Sequence, residues 1–255
     1  MSISTVTLMP TLMAVLALVV LTHPAHGQMN QSRCADCHFA NQDEDPAPDH
    51  LFAWDLSAHR RNDVGCEGCH GGDPTTFESF LAHKDVLNHR NPSSPVNRAN
   101  LPQTCGRCHA GPYVEFQRSG HFELLKEGDR RVPTCMTCHG AVAADFLSPR
   151  GLEEECSRCH GPEGVDPLPL KASEARLLLE GIATVRESLR SARHLIDRVS
   201  DESRKTEYEY AYQQAEVPLI QARRAGHRFV FDELQSRLDV ARQRTGDLLR
   251  DLVNP

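Results

Sequence analysis

Apolar residues recur with helical spacing along the C-terminal third of the 255-residue chain. From about residue 172 they alternate at steps of four and three, which places them on one face of an α-helix. The first stripe contains Leu178, Ile182, Val185, Leu189, Ala192, Ile196 and Val199, and the second contains His227, Phe231, Leu234, Leu238, Ala241, Leu248 and Leu252. Thr245 is polar but in phase with the second stripe. The pattern predicts two or three antiparallel helices, with Pro218 and Gly226 kinking or interrupting the segment between the stripes.

The preceding region, residues 28–168, has no sustained periodicity and is rich in Pro, Gly and Asn. Such a composition predicts short helices joined by loops rather than long regular elements. We therefore expect a mainly α protein with a loop-rich domain over 28–168, followed by a C-terminal helical hairpin or bundle over 169–255.

The N-terminus carries an apolar run from Leu12 to Leu21, followed by small residues around Ala25 and Gly27. The run is short for a membrane span, so the pattern predicts a signal peptide over 1–27 that is cleaved before Gln28. The first eleven residues contain no Lys or Arg, which leaves an uncleaved membrane anchor as the alternative. Either interpretation predicts an exported, periplasmic protein.

All ten cysteines belong to five copies of the motif C-x-x-C-H, which is typical of c-type haem attachment. Two thiols three residues apart can form thioethers to both vinyl groups, and the next imidazole then meets the iron. Zinc sites, disulfide frameworks and thioredoxin-like dithiols do not require a histidine directly after every cysteine pair. The sequence therefore predicts five covalent haem c groups. They are attached through Cys34, Cys37, Cys66, Cys69, Cys105, Cys108, Cys135, Cys138, Cys156 and Cys159, with proximal ligands His38, His70, His109, His139 and His160.

Seven further histidines outside the predicted signal peptide are candidates for the second axial position of the irons. Two of them belong to a repeated unit, aromatic-x-x-Ser-x-His, which spans Trp54–His59 and Phe116–His121. We expect the distal ligands to be His50, His59, His83, His121 and His227. The last of these is in phase with the apolar stripe of its helix. His89 and His194 are the less favoured candidates, and we expect His194 to face solvent.

Charge indicates the class of partner. Acidic residues outnumber Lys and Arg in residues 1–170, whereas the two are nearly balanced in residues 171–255, and the chain carries a net charge of −7. Haem propionates would make the first region more acidic still. Nucleic acid is therefore an unsuitable partner, and a redox protein with a basic docking face is a better match.

The motif order, with W-x-x-S-x-H and S-x-H units between the C-x-x-C-H motifs, resembles the multihaem cytochrome c superfamily. That superfamily includes tetrahaem electron-transfer cytochromes, hydroxylamine oxidoreductase and pentahaem nitrite reductase. The resemblance covers residues 34–160 and implies that His59, His83 and His121 are distal ligands of neighbouring haems, with His50 a weaker match. The chain departs from the pentahaem nitrite reductases because it has no C-x-x-C-K motif and is much shorter than they are.

Two functions remain open at this point, and the favoured one is a non-catalytic carrier. It would relay electrons between a membrane quinol oxidoreductase or dehydrogenase and a terminal reductase, through mostly bis-His haems. The alternative is a small reductase or oxidase of nitrogen or sulfur species at one open haem. Its candidate charge-stabilising residues are Arg107, Tyr113, Arg118, Arg130 and Arg131. The C-terminal stripes could also serve a homodimer or a membrane complex, although packing within one chain is the simpler interpretation.

Overall fold

The computed structural model describes residues 32–41, 48–142 and 146–254, and the predicted signal peptide lies outside them. All regular secondary structure in these ranges is helical, which confirms the mainly α class. The first ten helices are short: α1 Arg33–Ala40, α2 Pro48–Asp55, α3 Ala58–Arg61, α4 Glu67–His70, α5 Ser79–Ala82, α6 Leu101–Gly106, α7 Ala110–Phe116, α8 Gly120–Lys126, α9 Cys135–His139 and α10 Pro149–His160. The last three are long: α11 Pro169–Ile196, α12 Glu202–His227 and α13 Phe231–Val253.

The three long helices pack on one another through the two apolar stripes, as their spacing predicts. The main core cluster combines Leu178, Val185 and Leu189 of α11 with residues of α12 and α13. Short turns join α11 to α12 and α12 to α13, so successive helices run antiparallel. Thr245 is fully buried in this core, where its hydroxyl donates to the Ala241 carbonyl at 2.7 Å. That bond satisfies the hydroxyl and explains how a polar residue is accommodated in the stripe.

Pro218 does not interrupt the helix, because α12 continues through it and ends only at His227, directly after Gly226. A proline inside a helix leaves the carbonyl four residues earlier without its backbone donor. That carbonyl belongs to Gln214, and Nη1 of Arg244 on α13 donates to it at 2.8 Å. A side chain of the neighbouring helix therefore replaces the missing backbone hydrogen bond.

Two of the short helices make extensive contacts with this bundle. Helix α10 packs along α11, and α7 packs against α12. No helix among the described residues is both long enough and apolar enough to cross a membrane.

We expect Arg244→Ala to lower the free energy of unfolding by about 1 kcal/mol, because the Gln214 carbonyl then loses its donor. The loss should be clearly smaller in a Pro218→Ala background, where residue 218 supplies its own N–H. Urea unfolding of the haem-loaded protein, followed by circular dichroism, measures both values. Arg242→Ala, which removes an exposed pair with Asp239, is the matched control. An Arg244→Ala cost that is equal in both backgrounds would contradict this account.

Candidate haem centres

Each C-x-x-C-H motif lies on a helical turn, so both thiols and the histidine emerge on one side of it. Four motifs fall within α1, α4 with its N-cap Cys66, α9 and the end of α10. The third begins in α6, and the His109 N–H donates to the Cys105 carbonyl at 2.9 Å to continue the turn. All ten cysteines are free thiols in the structure. The motifs therefore present the donor set that haem attachment requires.

Every proximal histidine faces a second histidine across a similar gap. The distances between ring centres are 6.0 Å for His38–His83, 5.9 Å for His70–His50, 6.0 Å for His109–His59, 6.3 Å for His139–His227 and 5.9 Å for His160–His121. Two imidazoles on opposite faces of one iron, each bonded at about 2 Å, have ring centres about 6 Å apart. The residues present thus fit five irons with two axial imidazoles each.

Backbone carbonyls hold several of these rings in the orientation that a metal needs. Nδ1 lies 3.0 Å from the Val142 carbonyl oxygen in His59, 2.8 Å from that of Ser79 in His83 and 2.7 Å from that of Arg223 in His227. A carbonyl can only accept a hydrogen bond, so Nδ1 carries the proton and Nε2 keeps its lone pair. Such contacts fix the ring and raise its basicity as a ligand.

The repeated unit builds the same local structure twice, and in each copy the serine caps a helix in which the histidine is the second residue. The Ser57 hydroxyl donates to the Trp54 carbonyl at 2.6 Å and accepts from the Arg60 N–H at 3.2 Å. The Ser119 hydroxyl donates to the Phe116 carbonyl at 2.7 Å and accepts from the Phe122 N–H at 3.2 Å. The cap fixes the first turn of α3 or α8 and therefore the position of the histidine on it.

Two family models match parts of the chain. Cytochrome c7 and related cytochrome c matches residues 91–161, and cytochrome c554 and c-prime matches residues 6–71. A curated relative, the C-type polyheme cytochrome OmcC of Geobacter sulfurreducens, is 27% identical over 136 residues. The chain belongs to the multihaem c-type cytochrome superfamily. The alignment with OmcC covers 53% of this chain but only 15% of the relative's length. No solved structure matches the chain.

Membership of this superfamily implies that the motifs of the cytochrome hold haem c covalently. The haem supplies one-electron redox chemistry, and the protein positions it and tunes it through its ligands. Desolvation, reinforced by a neighbouring histidine, lowers the pKa of His70, His121 and His139 and so favours their neutral form. A neutral imidazole is the form that binds a metal.

Successive motifs of the cytochrome lie beside one another in chain order. In the free thiol form, burial, with the nearby Cys34 as the next cause, raises the pKa of Cys66 to about 12. Burial likewise raises the pKa of Cys138 to about 11, with Cys156 as the next cause. Helix α6 of the third motif packs on α9 of the fourth. His59, which faces the histidine of the third motif, hydrogen-bonds to the carbonyl of Val142, three residues after the fourth motif. Neighbouring haems would consequently lie close together.

His89 and His194 are exposed, as expected for His194. Three of the five residues suggested for an enzymatic site have partners within the protein. Arg131 pairs with Asp129 at 2.7 Å, Arg118 pairs with Glu115 at 3.7 Å, and the Tyr113 ring packs on Phe122.

Two aromatic residues at the centres were not predicted from the sequence. The Phe146 ring lies 4.8 Å from that of His139, and the Phe229 ring lies 4.4 Å from that of His121. Neither belongs to a motif. Phe229 is adjacent to the second apolar stripe, which is the only sequence signal that could have drawn attention to it.

Gly72 is the point where the loop after the second motif meets the segment that carries His83. Its φ is +89°, and an added Cβ would lie 2.4 Å from the Ala82 carbonyl oxygen. The Asp73 N–H donates to that same carbonyl at 3.0 Å. A side chain at position 72 must therefore push Ala82, and His83 with it, away from the second motif.

We expect Gly72→Ala to disturb one haem centre, that of His38 and His83, and to leave the other low-spin signals unchanged in electron paramagnetic resonance. Gly128→Ala is the matched control, because Gly128 has a similar φ of +95° but nothing within 4 Å of an added Cβ. Both variants suffer backbone strain, but only the first suffers the steric contact. Indistinguishable spectra of the two variants would show that strain alone, and not the contact with Ala82, matters.

Proposed function

We propose that this cytochrome is a periplasmic pentahaem electron carrier in which all five irons have two histidine ligands. The axial pairs are those that face each other: His38 with His83, His70 with His50, His109 with His59, His139 with His227, and His160 with His121. The observation that carries the proposal is that each proximal ring meets one partner ring at 5.9–6.3 Å. The haem domain over 28–168 and the helical region over 169–255 are part of the same proposal.

Two axial imidazoles leave an iron no position for a substrate, so the arrangement favours electron transfer over catalysis. The chain's own contribution is to fix ligands and to set potentials. Carbonyls that accept from Nδ1 of His59, His83 and His227 increase the basicity of the opposite nitrogen. More basic ligands stabilise the ferric state and lower the potential of the haem.

Location and partners follow from the N-terminal pattern and the charge. The apolar run and small-residue site before Gln28 support export, and c-type haem attachment in bacteria takes place outside the cytoplasmic membrane. The acidic excess of residues 1–170 favours a donor and an acceptor with basic docking faces. We propose a membrane quinol oxidoreductase or dehydrogenase as the donor and a terminal reductase as the acceptor. The C-terminal helices are the proposed surface for any homodimer or membrane complex.

The decisive experiment on the function combines a haem count with electron paramagnetic resonance of the oxidised protein. We expect five haems per chain and only low-spin ferric signals, unchanged when nitrite or hydroxylamine is added. A high-spin signal that shifts with either additive would replace the carrier with the enzyme alternative. A count below five would refute the pentahaem assignment.

Single substitutions test the five axial pairs. His50→Ala, His59→Ala, His83→Ala, His121→Ala and His227→Ala should each convert about one fifth of the low-spin intensity to high-spin, because each removes one ligand from one of five irons. His89→Ala and His194→Ala are the matched controls and should leave the spectrum unchanged. A control that generates high-spin iron would show that a pair has been assigned to the wrong histidine.

A further inference from the structure

The turn between α12 and α13 reaches out of the helical bundle into the haem region. His227 ends α12 and faces His139, and Phe229 follows two residues later. Phe229 has a φ of +61°, a left-handed conformation that bulky side chains rarely adopt. Such strain persists only where the surrounding contacts hold the residue in place.

Phe229 contacts residues of the haem region. Its ring meets that of His121 edge to face, with ring centres 4.4 Å apart and an interplanar angle of 77°. On its other side it packs on Phe116 at 6.4 Å, beside the buried cluster of Phe116, Phe122, Leu125 and Val132. The ring is thus held between this cluster and a histidine that faces His160.

Arg228 holds the turn in this position. Its Nε lies 2.9 Å from a carboxylate oxygen of Glu115 on α7, and its Nη2 pairs with Glu233 of α13. Glu115 stands one residue before Phe116, so the ion pair and the ring contacts connect the same two segments. Both groups of the Arg228–Glu115 pair are largely shielded from solvent, and their contact is ionic, without hydrogen-bond geometry.

We propose that Phe229 is a positioning residue for His121, so that the C-terminal bundle sets the ligand geometry of the fifth haem as well as supplying a ligand to the fourth. This inference rests on the proposed pairing of His121 with His160. The His121 and His160 planes stand at 62°, and the edge-to-face packing of Phe229 on His121 would restrict rotation of that imidazole if it were bound to iron. The angle between axial imidazole planes splits the iron d orbitals and so determines the g values of a low-spin ferric haem.

The test compares Phe229→Leu with Val132→Ala in the full haem-loaded protein. Both remove apolar side-chain volume at the same cluster, but Phe229 is the residue whose ring packs on His121. We expect Phe229→Leu to shift the largest g value of one low-spin signal, that of the fifth haem, and to change the reduction potential of that haem alone. Val132→Ala should leave both unchanged. A Phe229→Leu spectrum like the wild type, or the same change in both variants, would overturn the inference.

His121→Ala separates this result from a failure of the proposed function. If it yields no high-spin iron, the pairing of His121 with His160 is wrong and the inference about Phe229 falls with it. If it yields high-spin iron while Phe229→Leu changes nothing, the pairing stands and only the positioning role is overturned.

Discussion

One geometric relation recurs throughout this structure: a second imidazole stands about 6 Å from the histidine of each motif, the separation that two axial ligands of one iron would need. The C-x-x-C-H motif delivers the proximal ring locally, within one helical turn, but it cannot supply the opposite ring. The fold has to bring that ring in from elsewhere, five times. The short helices before residue 160 are best understood as the local supports that carry these rings.

Several kinds of local contact hold these distal histidines in position. Serine caps place His59 and His121 on the first turn of a helix. His83 depends on the contact between Gly72 and Ala82, and His50 lies on α2 with Trp54, whose indole N–H donates to the Val64 carbonyl at 2.9 Å. His227 is held at the end of a long helix whose position the apolar core determines. No continuous apolar core is needed in the haem region if every ligand is fixed in this way, which fits an aromatic content of only 5%.

The sequence predicted the parts of this arrangement that are local. The five motifs, the two apolar stripes and the repeated serine-histidine unit are short-range patterns, and the structure places them as short or long helices accordingly. The pairing of distal with proximal rings was not predictable, because His139 and His227 meet only after the whole bundle has folded. The continuity of α12 through Pro218 was missed for the same reason, since the compensating donor, Arg244, comes from another helix. The left-handed φ of Phe229 likewise has no local signal.

Cofactor and chain therefore stabilise each other across the division between the two regions. The bundle has its own apolar core, and yet the turn that leaves it carries one ring facing His139 and another packed on His121. Iron bonded to His139 and His227 would tie α12 to the fourth motif. It would thereby hold the α12–α13 turn beside the fifth motif. Any displacement of the bundle then disturbs two neighbouring haems together rather than one. Since electron transfer between haems depends on their separation and potentials, the helical region would influence transfer between the haems of the fourth and fifth motifs.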